Sequence, residues 1–341
     1  RSIAPGAGLL IDADGDVTVR DLELRHEGAA AASVAIVTSG GYSIEDVRLT
    51  GGTAAESGAG GFGLILRTAS NPVRAEGSLQ QVTGVELSGH DGGGIFVGSD
   101  AAPQIADITV SRSDGCGLCF VEDSGGTVET VLVRGVPIGV RVDDAAAPEL
   151  SELRIRNASI GVALTGTGSP SIRQSRVIGA RTGFEVVGSG SPSLGDLTVT
   201  DSVDIALRLA DATRASVSSV TIDGATTVGI GVADQASPAL SASAITTTGD
   251  VGVIWAGDSA GTADELTVTG SRLGLQVSDS AAPVVSDVTV RSVGEASMLA
   301  SGASSGRITR LVCPADAPVA LTDDTTTQVR QSPTCAIADA R

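Results

Sequence analysis

The residues able to do chemistry in this chain are mostly carboxylates, and they recur at regular intervals. One series runs Asp100, Glu122, Asp123, Asp143, Asp144, Asp234, Asp258 and Asp279. A second runs Asp21, Asp46, Asp107, Glu152, Asp196, Glu265 and Asp287. Carboxylates stacked close together repel, and a hard divalent cation relieves the repulsion. Asp100, Asp123, Asp143 and Asp144 are therefore candidate ligands for Ca2+, the one cofactor this pattern suggests. The plainer expectation is that these acids occupy exposed turns, where Asp is a good turn former. The adjacent pair Asp143–Asp144 has the residue type that glycoside hydrolysis needs, but adjacency does not set the separation across a scissile bond. No catalytic residue is assigned.

Histidine and aromatic side chains are scarce: 2 His, 4 Phe, 1 Tyr and 1 Trp. His90 and Asp91 in SGHDGGG, with Phe96 close behind, form the candidate ligand-binding group. Phe96 is the best outward aromatic for stacking on a sugar, whereas Trp255 is expected to face the core. Cys116-Gly-Leu-Cys119 has CxxC spacing. A redox dithiol sits at a helix N-terminus. This pair lies across the start of a strand, so a structural disulfide or plain thiols fit it better. Two cysteines are too few for a structural zinc site. Cys116, Cys119, Cys313 and Cys335 make an even count, which permits two disulfides and an oxidising compartment.

These groups must be positioned by a repeat. PQIADITV from Pro103, PELSELRI from Pro148, PSIRQSRV from Pro170, PSLGDLTV from Pro192 and PVVSDVTV from Pro283 share one pattern. Pro148, Pro170 and Pro192 are spaced 22 residues apart. Pro238, Gly126, Ala215 and Gly261 hold the same place in other units. Each unit also carries Gly-apolar-x-apolar, as in GIFV at Gly94, GLCF at Gly117, GVRV at Gly139 and GLQV at Gly274. Alternation of period two predicts strands. Small polar runs such as SDAAP and DDAAAP predict turns. One unit cannot bury its apolar side alone, so the copies must stack.

A period near 22 also fits a leucine-rich repeat, but that pattern wants an Asn after the strand and a Leu-rich helical back. The chain has only Asn71 and Asn157. Its unit resembles the right-handed β-helix repeat of the pectin-lyase-like superfamily, from about Asp16 to Thr327. The expected fold is all-β: a right-handed parallel β-helix solenoid of about 13 rungs with ~22-residue repeats. Its expected extent is residues 1–312, interrupted by an insertion at about 50–80. Residues 313–341 are expected to form a C-terminal cap, which a Cys313–Cys335 disulfide would pin. The interruption between Thr50 and Gln80 is the first place to look for function, because a solenoid insertion becomes a loop on one side.

The resemblance is specific for fold and poor for function. The superfamily includes polysaccharide lyases, hydrolases, epimerases, phage tail spikes and non-catalytic modules. Against the hydrolase pattern, His90 half-matches a Gly-His-Gly, no Asn-Thr-Asp is present and the chain has no Lys. All 22 basic residues are Arg, and the net charge is −18. Such a charge opposes nucleic-acid binding and docking on anionic membranes. No run of 18 apolar residues predicts a membrane-inserted helix. The chain starts at Arg1, which suggests a mature form or a fragment. The function expected is a non-catalytic exported module for surface scaffolding, adhesion or ligand recognition. Its partner would be a polysaccharide or another surface protein. The alternative is a lyase or glycoside hydrolase acting on acidic polysaccharide.

Overall fold

The structure, a computed structural model, describes residues 7–13, 15–29, 32–38, 40–53, 60–68, 79–225, 227–247, 249–331 and 335–339. Among the described residues every regular element is a β-strand, and the strands pair in parallel. Contacts divide the chain into two units, Arg1–Ile172 and Arg173–Arg341. Each is a parallel β-solenoid.

In the first unit one sheet stacks seven strands in chain order: Ala7–Ala13, Ala32–Thr38, Phe62–Thr68, Gly93–Gly98, Cys116–Phe120, Ile138–Asp144 and Ile160–Gly166. The later ones are the Gly-apolar-x-apolar segments. The segments after each Pro form the other walls. Gln104–Ser111 pairs with Thr127–Arg134, which pairs in turn with Glu149–Ser151 and Leu153–Arg156. In the second unit the first sheet stacks eight strands, from Thr182–Gly188 to Ile337–Asp339. The other walls are built from stretches such as Ser193–Thr200, Thr262–Thr269 and Val284–Arg291. The first sheets hold seven and eight strands, fifteen in all, beside the ~13 rungs expected from the repeat.

The core follows from register. A parallel pairing offset by one repeat puts like positions on top of one another. In the first unit Ile95, Leu118 and Val140 form one inward column, and Val97, Phe120 and Val142 another. In the second unit the columns are Leu207–Ile230–Val253–Leu275–Met298 and Leu209–Val232–Trp255–Val277–Ala300. All ten of these last residues are at most 1% exposed. Each aliphatic side chain buried this way contributes about 1.5–3 kcal/mol. The lumen is narrow, which is why the apolar residues are chiefly Val, Leu, Ile and Ala. The repeated Gly is also a packing device. A Cβ on Gly117 would lie 2.5 Å from the Gly139 carbonyl oxygen and 2.6 Å from a Val133 methyl.

Two sequence expectations meet particular residues here. The interval 50–80 contains Phe62–Thr68, a regular strand in register with Ala32–Thr38 and Gly93–Gly98. Its residues 54–59 and 69–78 lie outside the described residues. Past residue 312, where the sequence period fades, pairing continues. Val319–Leu321 pairs with Ala296–Ala300, and Ile337–Asp339 pairs with Val319–Leu321. Cys313 and Cys335 are disulfide-bonded with Cα atoms 5.1 Å apart and a sequence separation of 22. The bond therefore joins positions one repeat apart.

Trp255 is the only tryptophan and is 1% exposed. It fills a column otherwise made of smaller residues. Trp255→Ala should lower the stability of the second unit by about 3–5 kcal/mol through the cavity it leaves. Urea unfolding followed by circular dichroism measures this, and a midpoint equal to that of the parent chain would contradict it.

Candidate functional site

Residues that alternate with the inward columns form the outer face of the first sheet. In the first unit one outward row runs Ile65, Phe96, Cys119, Arg141 and Ala163. A second row, two residues ahead of the inward columns, runs Phe62, Gly93, Cys116, Ile138 and Ile160, and its Phe62, Cys116 and Ile138 line the same outer side. Between them lies a groove of about 330 Å³, lined by Phe62, Phe96, Asp114, Cys116, Cys119, Ile138, Arg141 and Asp143 among others. The Phe62 and Phe96 ring centroids are 5.1 Å apart with planes at 58°. The Arg67 guanidinium carbon lies 5.6 Å from the Phe96 centroid, within cation–π range. Cys116 and Cys119 are disulfide-bonded, with Cα atoms 5.9 Å apart, and line the groove.

The acids beside this platform are held by arginines. Arg67 Nη2 donates to both Glu122 oxygens, at 2.7 and 2.9 Å. The Ser99 N–H also donates to Glu122. The Arg67 hydrogen bond is the main cause that holds the Glu122 carboxyl below its ordinary range; partial burial opposes it, and the Ser99 bond and the Arg67 charge add to it. Arg141 Nε lies 2.6 Å from Asp143 Oδ2, and Thr165 Oγ1 donates to Oδ1 of the same group. Gly98 gives the cluster its room. A Cβ there would sit 2.7 Å from the Phe96 ring and 3.3 Å from both Arg67 and Glu122.

The expected site residues separate. Phe96 lies in the groove, as does Asp143. His90 does not join them: it is 1% exposed and turned into the solenoid interior, so a surface ligand cannot reach it. Asp91 is exposed, and its N–H donates to the Gly52 carbonyl at 3.2 Å. Phe62, Arg67 and Arg141 were missed by sequence reading. The signal for the first two was present, since both fall inside the interval 50–80.

Among the described residues no three His, Cys, Asp or Glu side chains are grouped to hold a metal ion, the candidate Ca2+ ligands Asp100, Asp123, Asp143 and Asp144 included. The physical reason for the acid series is backbone geometry. All seven residues of the second series, from Asp21 to Asp287, have φ between 51 and 55°. In the first series Glu122, Asp144, Asp234 and Asp279 have φ of 61, 56, 58 and 59°. Short polar side chains tolerate this left-handed region better than apolar ones. Their carboxylates also cap the preceding turn. Asp144 accepts from the Glu122 N–H at 3.0 Å, and Asp279 from the Gly257 N–H at 3.0 Å. Asp100 accepts from Thr68 Oγ1.

A second groove, of about 590 Å³, lies on another wall of the first unit. Arg134, Arg154 and Arg156 line it together with Asp107 and Glu152. Thr130 Oγ1 donates to Glu152 there at 3.1 Å.

Parallel strands, inward aliphatic columns and a groove on the outer face define a β-helix with a ligand-accessible surface. The family model described as "Right handed beta helix region" matches residues 7–200, and the chain belongs to that family. No curated protein matches the sequence. Among solved structures, the catalytic domain of a GH87 alpha-1,3-glucanase in complex with nigerose is similar at 11% identity and TM-score 0.44, covering 94% of this chain and 63% of that one. The catalytic unit of the GH87 alpha-1,3-glucanase from Streptomyces thermodiastaticus strain HF3-3 is 14% identical with TM-score 0.44, covering 96% of this chain and 64% of that one. The A-module of Azotobacter vinelandii mannuronan C-5 epimerase AlgE4 is 11% identical with TM-score 0.42, covering 96% of this chain and 91% of that one. The chain thus spans 63–64% of the glucanase units.

Two outcomes follow from this geometry. If Asp144 serves the turn, Asp144→Ala should be less stable than Asp144→Gly by about 1 kcal/mol, because only Ala is strained at positive φ. Thermal melts of both variants measure the difference, and millimolar Ca2+ should leave the parent melting temperature unmoved. The second outcome concerns Glu122. A depressed carboxyl contributes stability above the ordinary pKa of Glu and loses it as pH falls through the folded-state value. A carboxyl 13C titration should therefore place Glu122 below free Glu, and Arg67→Gln should move it back up.

Proposed function

We propose that this chain is a non-catalytic, exported β-helix module that recognises a glycan on the outer face of its first sheet. The observation that carries this reading is the Phe62–Phe96 pair with Arg67 set against Phe96. An aromatic face offers a flat apolar surface to the C–H side of a sugar ring. Arg141 and Asp143 supply donors and acceptors along the same groove for hydroxyl groups.

The state of the acids favours binding over turnover. Glycoside hydrolysis needs one carboxyl that carries a proton and a second that is free to attack or to activate water. Glu122 is held ionised by Arg67, and Asp143 is engaged by Arg141 and Thr165. Two disulfides suit an oxidising, extracellular setting. Scaffolding or adhesion then follows from the same surface, since a module that grips a glycan can hold its carrier there.

The test is a panel of neutral and acidic oligosaccharides against the purified chain. Binding should be present for at least one class and weakened roughly ten-fold, or about 1.4 kcal/mol, by Phe96→Ala. The same panel incubated with Ca2+, including uronic-acid polymers, should release no product. Turnover on any polymer would overturn the reading. So would binding that is indifferent to Phe96→Ala.

A further inference from the structure

The chain has two histidines, and the fold brings both to one point inside the first unit. His26 lies on Glu23–Ala29, Ser33 on Ala32–Thr38 and Gly52 on Arg48–Thr53. His90 occupies a turn ahead of Gly93–Gly98. Gly52 has φ of +107° and brings no side chain to this point. A Cβ there would lie 3.3 Å from His90 Nδ1, 3.4 Å from Ser33 Oγ and 3.7 Å from His26 Nδ1. These three atoms are buried, and among the described residues none has a hydrogen-bond partner. Ser33 is 0% and His90 1% exposed; His26 is half-buried.

The tautomer of His90 is set by its other nitrogen. Nε2 lies 3.2 Å from the Leu49 carbonyl oxygen. A carbonyl only accepts, so Nε2 carries the proton. Nδ1 is then the unprotonated nitrogen, and it lies on the Gly52 side of the ring. A ring N–H donated to a backbone carbonyl, with the opposite nitrogen unprotonated, is how a metal-ligating imidazole is held.

We propose that His26 Nδ1, His90 Nδ1 and Ser33 Oγ form an interior site for one divalent transition-metal ion of the imidazole-preferring class, Cu2+, Zn2+ or Ni2+. Two imidazoles and a hydroxyl suit these ions and not Ca2+ or Mg2+. The half-buried side of His26 gives the ion its way in. A buried water is the competing occupant. Corners elsewhere carry small hydroxyls such as Ser113, Ser124 and Ser271. Placing both histidines of the chain at one point exceeds what a water needs.

The test uses the full chain without a histidine tag. Titration with Zn2+ and with Cu2+ should show one ion per chain at low-micromolar affinity or tighter, and Ca2+ should show none. The Cu2+ form should give an electron paramagnetic resonance spectrum with coupling to two imidazole nitrogens. His26→Gln and His90→Gln should each weaken binding roughly ten-fold or more. Ser33→Ala should weaken it less. Retention of the parent circular-dichroism spectrum shows that a variant still folds. The spectrum of the unmodified chain decides the matter even if a variant does not fold. Absence of stoichiometric binding, or Cu2+ coupled to fewer than two nitrogens, would overturn the proposal and leave water as the occupant.

Discussion

The structure depends on one interaction: the hydrogen-bonded pairing of each strand with the strand one repeat away. A parallel ladder holds only if the chain returns after the same number of residues, in the same register. That is why Leu118 lies beneath Val140 and Leu275 beneath Met298, at separations of 22 and 23 residues. Every other feature is subordinate to this return. The lumen is narrow because each turn is short, so the core takes aliphatics and few rings. The turns must be tight, so particular positions are forced into the left-handed region. A residue type that suits a position once suits it in the next turn as well.

This last consequence explains the acids. Stacked carboxylates invite a cation reading, because the eye sees like charges in a column. The backbone shows another cause. Asp46, Asp107 and Asp287 share a bend at which an apolar side chain would be strained. Asp144 and Asp279 reach across one turn to cap an N–H of the neighbouring rung. Repetition of a residue in a solenoid is thus weak evidence for a site. The departures from the repeat are more informative. Phe62 and Phe96 set aromatic rings in rows whose other members are small, aliphatic or, at Arg141, charged. His90 takes a corner place that the next turn gives to Ser113, and His26 stands where the next rung has Gly51.

Much of the fold was legible in the chain. The spacing of Pro148, Pro170 and Pro192, the Gly-apolar-x-apolar segments and the small polar runs determine strand, turn and period by themselves. They do so because each is a local rule about backbone angles and alternation. The inward set, Trp255 included, follows from the same alternation. The candidate site was legible only in part. Phe96 was chosen because it alternates with Ile95 and Val97, and the structure places it on the outer face. His90 was paired with it through nearness in sequence, although a corner lies between them. That corner turns one side chain inward and leaves the other outside.

What the sequence determined by itself is the repeat and the side of the wall on which a strand residue falls. What only the tertiary structure decided is which residues meet. Arg67 meets Glu122 across 55 positions, and His26 faces His90 across 64. The described strand Phe62–Thr68 lies in an interval where the motif is broken, so counting repeats cannot set its register. Contacts of that kind depend on how many residues each turn consumes. Where the motif is broken, that number is set by the hydrogen-bonded closure of the turn in space, and the local pattern of residues does not give it.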